Sequence, residues 1–170
     1  MKKYVLTGGP GVGKTTLVEI LKGRGYYVVP EAARVVMEEE KKKGSNALPW
    51  FDLSKFQELV AGRQLAEEAK ASGDIVFLDR GLVDGIAYCD EGNIEAPAEA
   101  LANARNRYDK IFMLEKLPSY ENDSERWESG DFQNAIHERI MAAYLKFGYE
   151  PVTVPVLPLE KRADFIIESL

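Results

Sequence analysis

One cysteine, Cys89, and one histidine, His137, occur in 170 residues. A lone cysteine excludes an internal disulfide and fits a reducing compartment. A lone histidine excludes the His/Cys clusters that hold zinc, so His137 reads as a structural helix residue and Cys89 as a small buried hydrophobe. No apolar run approaches the roughly 20 residues that cross a bilayer, and the N-terminus lacks the apolar core of a secretory signal. The expectation is a cytoplasmic protein with no membrane partner. Positive charge is also short, with 22 Lys and Arg against 28 Asp and Glu and a net charge of −6. That balance disfavours a long nucleic-acid groove. Neither an N-K-x-D motif nor a D-x-x-G after the third strand-like run is present, which argues against a Ras-like switch.

What is there is a globular composition, 45% hydrophobic and 29% charged. It suits one domain over residues 1–170. Strand-like runs recur at residues 4–6, 26–29, 75–78, 110–114 and 151–154, with helical patterns between them, among them 31–43, 54–71, 132–147 and 159–170. Such alternation predicts a three-layer α/β/α fold, a five-stranded and mostly parallel sheet covered by helices on both faces. Two polar stretches interrupt the repeat. Residues 41–52 read as an acceptor-site flap and residues 117–131 as a lid over the donor phosphates. Trp50 and Phe51 in the flap read as core or lid packing, with a base-stacking platform as the alternative.

Gly8-Gly9-Pro10-Gly11-Val12-Gly13-Lys14-Thr15 is a complete phosphate-binding loop, set between the first strand and an amphipathic helix. Glycines let the backbone turn its N–H groups inward to phosphate oxygens, and the helix N-terminus adds partial positive charge. Gly9, Gly11, Val12, Gly13, Lys14, Thr15 and Thr16 are the nucleotide-binding candidates, with Lys14 a cation for the outer phosphates and Thr15 a ligand for Mg²⁺.

Ligands of open α/β sheets bind at the carboxyl ends of the strands. Asp79 ends the apolar run of the third strand and is the second Mg²⁺ ligand expected. Glu31, just past the second strand, is a candidate base for an attacking hydroxyl, and Arg34, on the same helical face, is a candidate substrate contact that can clamp a phosphate or orient Glu31. Arg80 follows Asp79 and can bridge phosphoryl oxygens or pair with Glu31. Asp84 and Gln64 are candidate substrate contacts, Gln64 lying in line with Val60 and Phe56 on a helix. Arg126, inside the lid, can approach a γ-phosphate. Each has a plainer alternative: a helix cap for Asp79, an i,i+3 pair for Glu31 and Arg34, surface polarity or packing for the others.

Residues 7–17, 26–34 (YYVVPEAAR), Gln64, 77–88 (FLDRGLVDGIAY) and 120–128 (YENDSERWE) together resemble a family of predicted ATP/GTP-binding P-loop proteins. That family is filed as an AAA-type ATPase domain. It is similar to the ribosylnicotinamide kinase domain of bifunctional NAD-synthesis regulators, and more broadly to nucleoside and nucleotide kinases. The resemblance implies Glu31 as base, Asp79 and Arg80 as the Mg²⁺ and phosphate pair, and Arg126 as a lid arginine. It implies ATP or GTP with Mg²⁺, and a small-molecule acceptor of the γ-phosphoryl group. The alternatives are an NTP-hydrolysing or NTP-binding regulatory module and a kinase of nucleic-acid 5′ ends. The sequence names neither the acceptor nor an oligomeric state.

Overall fold

A computed structural model describes residues 1–116 and 130–170. In chain order the elements are β1 (Lys2–Thr7), α1 (Lys14–Gly23), β2 (Tyr27–Val29), α2 (Ala32–Lys43), α3 (Leu53–Lys70), β3 (Ile75–Asp79), α4 (Leu82–Glu91), α5 (Ala98–Asn103), β4 (Lys110–Leu114), α6 (Gly130–Lys146), β5 (Val152–Val154) and α7 (Leu159–Glu168). The strands form one sheet in the order β2-β3-β1-β4-β5. All four pairings are parallel, where the sequence predicts a mostly parallel sheet.

The central strands are continuous apolar runs because both sheet faces are covered. Successive side chains alternate between the two faces. Val5, Val76, Leu78, Ile111 and Met113 enter one core together with Val83 and Ile86 of α4 and Ile136, Ile140 and Tyr144 of α6. Tyr4, Leu6, Phe77, Phe112 and Leu114 enter the other, against Leu17 and Leu21 of α1 and Ala163 and Ile166 of α7.

The expected elements are present with shifted ends. β1 and β3 reach Thr7 and Asp79, so that polar side chains end the strands, and α2 starts at Ala32 because Glu31 is its cap, with extended backbone at ψ 108. The short helix α5 has no counterpart in the sequence reading. The expected packing of Trp50 and Phe51 is corrected: they are 49% and 69% exposed. Leu48 takes the buried place in this loop, the Asp52 side chain caps α3 by accepting from the Lys55 N–H, and Lys41 lies 5.1 Å over the Trp50 ring. Residues 117–129, most of the expected lid, lie outside the described residues. No helix among the described residues is long and apolar enough to cross a membrane.

Cys89 is a buried residue at 0% exposure, and burial, aided by Asp90, pushes its thiol up to about 11. A thiol reagent at pH 8 is therefore expected to modify the native protein roughly a hundredfold more slowly than the urea-unfolded chain, since reaction must wait for the core to open. Matched rates would show that α4 is not packed as described.

Candidate functional site

The loop after β1 lies at the carboxyl edge of the sheet. Gly8, Gly11 and Gly13 adopt positive φ of 141°, 75° and 85°, a region L side chains avoid. Gly13 caps α1, whose first N–H groups have no acceptor within the helix and are open to an anion. Lys14 is buried at the start of α1, and Thr15 and Thr16 behind it are exposed. Val12 places its side chain in the core, so its contribution to the loop is its backbone.

Three side chains hold the loop from outside. The Arg80 Nη1 donates to the Gly8 carbonyl at 3.1 Å. The Arg162 Nη1 of α7 donates to the Val12 carbonyl at 2.7 Å, while its other nitrogens donate to Pro155 O and Glu115 O. The Gly9 N–H donates to His137 Nδ1 of α6 at 3.1 Å. A Cβ on Gly9 would stand 3.0 Å from the Gln133 carbonyl and 3.2 Å from the His137 Cβ, so α6 rests directly on the loop. Burial, together with Lys116, lowers the His137 pKa and keeps the neutral ring that accepts this bond. The reading of His137 as a structural residue gains a specific place, against the loop.

Arg80 joins the loop to the second strand's end. Its Nε donates to Glu31 Oε1 at 3.0 Å and its Nη1 also donates to Asp84 Oδ1 at 3.0 Å. Its backbone is left-handed at φ 72°, held by a bond from its N–H to Leu6 O and by Gln64 Nε2 donating to its carbonyl. Asp84 accepts also from Thr7 Oγ1, the Gly81 N–H and Tyr144 OH. With both oxygens engaged, Asp84 holds Arg80 and the start of α4, although it lines the cavity described below. Arg34 stands at the rim, exposed, with Nη2 3.8 Å from Glu31 Oε2.

The electrostatics follow from burial among these charges. Burial and neighbouring Arg80 lower Lys14 to about 8. Burial works to raise the Glu31 pKa, but Arg80, Lys14 and Arg34 outweigh it, and the net direction is down. Asp79 is raised, by burial first and by Glu31, against the pull of Lys14. Its Oδ1 is buried without a hydrogen-bond partner, an unsatisfied acceptor at the carboxyl end of β3. A cation fits such an atom. Among the described residues no three His, Cys, Asp or Glu side chains converge into a complete metal site, so an ion held by Asp79 needs ligands from elsewhere.

Beside Arg80 opens a cavity of about 400 Å³. Glu31, Arg80 and Asp84 stand in its wall, Phe56, Val60 and Gln64 of α3 form one side, and Pro49 reaches it from the loop at 44–52. Gln64 thus faces the cleft, one of the two options its position left open. The structure brings Gln64, Glu31, Arg80 and Asp84 to this wall. Arg126 lies outside the described residues. Sequence reasoning missed Thr7, Tyr144 and Arg162, whose roles depend on partners distant in the chain.

An AAA domain family model matches residues 3–162. The chain belongs to this AAA-domain family. Among solved structures, the AAA domain is similar to deoxyadenosine kinase from M. mycoides with the products dCMP and a flexible dCDP bound, at 17% identity and a TM-score of 0.63, covering 98% of this chain and 97% of that one. It is similar also to NadR protein in complex with NAD and AMP-PNP, at 22% identity and a TM-score of 0.67, over 98% of this chain and 49% of that one. The chain thus spans about half of NadR. The likeness is one of fold, that of P-loop kinases. A search of curated proteins gives no match.

Arg162 is fully buried and holds three backbone carbonyls. Arg162→Met leaves those acceptors unsatisfied, and the expected loss is about 3 kcal/mol in urea unfolding, with weaker nucleotide binding because the loop is no longer held at Val12. Unchanged stability would mean that the three bonds carry no net weight.

Proposed function

We propose that this AAA domain is a Mg²⁺-dependent nucleoside kinase, moving the γ-phosphoryl group of ATP or GTP to a hydroxyl of a neutral nucleoside. The observation that carries this reading is the Arg80 side chain, which grips the phosphate-binding loop at Gly8 and Glu31 in the cavity wall. One guanidinium thereby couples a site for a polyphosphate to a site of acceptor size. The kinase fold supports the same reading. So do the ligands of the similar structures, dCMP and dCDP on deoxyadenosine kinase and NR on NadR.

The charge of the cavity favours an acceptor without phosphate. Arg80 is the only cation among its described lining residues, and its Nε and Nη1 are taken by Glu31, Asp84 and Gly8 O, which leaves only Nη2. Glu31, Asp84 and Glu91 stand around it. A phosphorylated acceptor would enter next to three carboxylates with a single guanidinium nitrogen, Nη2, left to meet it, a poor balance of charge for a phosphate.

In the reaction, the loop amides and Lys14 hold the triphosphate, and the acceptor hydroxyl faces Glu31. The lowered pKa of Glu31 keeps it a carboxylate at neutral pH, able to accept the proton as the hydroxyl oxygen bonds to the γ-phosphorus and the bond to the bridging oxygen breaks. Arg80 orients that carboxylate. Asp79 and Thr15 would hold Mg²⁺, which neutralises phosphate charge when bound. Catalysis comes from positioning and electrostatics more than from the strength of the base.

The primary test measures ATP and GTP consumption with and without a nucleoside panel. Phosphorylated nucleoside should form, and acceptor-independent hydrolysis alone would favour the regulatory NTPase instead. Lys14→Ala should abolish turnover. Glu31→Gln should lower transfer by roughly 10²- to 10⁴-fold while leaving nucleotide affinity nearly unchanged; full transfer would reject Glu31 as base.

A second prediction concerns Asp79. Its pKa lies above the ordinary carboxylate value, so its ionisation costs the nucleotide-free fold stability as pH rises through that pKa. Asp79→Asn is expected to raise the melting temperature of the free protein at pH 7 and to remove the Mg²⁺ dependence of nucleotide binding. A lower melting temperature would show that the carboxylate is held favourably without a cation.

A further inference from the structure

Behind Gln64, on the next turn of α3, the Glu68 carboxylate is 2% exposed and accepts four hydrogen bonds. Its Oε2 takes Lys3 Nζ at 3.0 Å and Arg107 Nε at 2.7 Å. Its Oε1 takes Tyr108 OH at 2.9 Å and Gln64 Nε2 at 3.1 Å. Tyr108 OH accepts in turn from the Leu82 N–H at the start of α4, at 2.9 Å. The carboxylate therefore ties α3 to β1, to the chain before β4 and to the first residue of α4.

The consequence for Gln64 is one of polarity. Its side-chain amide has two N–H donors, and both are spent, one on Glu68 Oε1 and one on the Arg80 carbonyl at 3.3 Å. Both partners are acceptors, so the amide cannot turn around: its oxygen would then face two oxygens. Gln64 Oε1 has no hydrogen-bond partner among the described residues and is not sealed off, and Gln64 lines the cavity. What Gln64 has left to offer a ligand is a carbonyl oxygen and no N–H.

We propose that Glu68 is a positioning residue of the acceptor cavity, holding Gln64 so that only its carbonyl oxygen faces the acceptor and thereby selecting a nucleoside whose base carries an N–H donor at that end. This rests on the nucleoside-kinase reading above. An acceptor with a ring nitrogen or a bare C–H in that place covers the oxygen without giving it a partner, which costs more than the hydrogen bond gains elsewhere. With an amide at position 68 the lock fails. Lys3 and Arg107 hold the oxygen of a glutamine there, so its amino group turns to Gln64, which then meets one donor and one acceptor and is free to present either its oxygen or its amino group.

The test is calorimetric binding, with AMP-PNP and Mg²⁺ present, of two matched pairs: cytidine against the pyrimidin-2-one riboside that lacks the amino group, and adenosine against purine riboside. The unaltered protein should prefer an amino-bearing member by about tenfold or more. Gln64→Met, which leaves Glu68 with Tyr108, Lys3 and Arg107, should abolish the preference. Glu68→Gln should reduce it below about threefold while AMP-PNP binds as before. A purely structural Glu68 would weaken both members of a pair alike, and a preference that survives in folded Glu68→Gln, or in Gln64→Met should Glu68→Gln fail to fold, overturns the inference. Equal binding of paired members by the unaltered protein overturns it too, yet leaves the kinase reading standing. If none of the four binds and none is phosphorylated, the nucleoside reading falls first and this inference with it.

Discussion

Arg80 holds the candidate site together. Its guanidinium donates at once to Glu31 beyond β2, to Asp84 of α4 and to the Gly8 carbonyl beyond β1. A buried arginine is tolerated only where such acceptors surround it. Its position demands further support: the residue sits at φ 72°, a conformation a non-glycine residue adopts when its surroundings force it. The surroundings do so from both sides. Leu6 O takes its N–H, Gln64 takes its carbonyl, and Tyr108 fixes the N–H of Leu82 two residues on. The strain sits where two ligand sites would meet, and the neighbouring elements maintain it.

The phosphate-binding loop has a comparable dependence on distant parts of the chain. Its glycines permit the curved path, but permission alone leaves a loose loop. Arg162 from the last helix, His137 from α6 and Arg80 from the end of β3 each hold a different backbone group of it. The loop is thereby ordered before any anion arrives, so that less ordering has to be paid for on binding. Both faces of the sheet take part, since Arg162 belongs to the side of α1 and α7 and His137 to the side of α6.

The sheet and the loop were legible in the sequence because they are local. Apolar runs closed by polar residues gave β1, β3 and β4, and the glycine spacing placed the loop and α1. Glu31, Asp79 and Arg80 were reachable by one rule, that chemistry collects beyond the carboxyl ends of parallel strands. The short α5 and the outward aromatics of the flap were not legible. In α5 six residues carry too little periodicity to register. For Trp50 and Phe51 the outcome was set by competition, with Leu48 taking the buried place and Asp52 committing the chain to α3. Partners such as Thr7 with Asp84, or Glu68 with Arg107, join residues far apart in sequence, and nothing in the residues between them announces the pairing.

The acidic balance of the protein and an anionic ligand are reconciled by where charge is spent. Arg80 spends its Nε and Nη1 on two carboxylates and the loop carbonyl. What remains for the anion is the N-terminus of α1 and Lys14, whose pKa is lowered to about 8 by burial and by Arg80. A lysine so placed is held unfavourably without an anion, and a polyphosphate beside it would relieve the penalty by favouring the ammonium form. Asp79 carries the complementary burden, a buried carboxylate raised in pKa with an oxygen that no group satisfies. One cationic and one anionic side chain are thus both uncomfortable at the same edge of the sheet. A triphosphate accompanied by a divalent cation would relieve both together, whereas either alone would relieve one and leave the other.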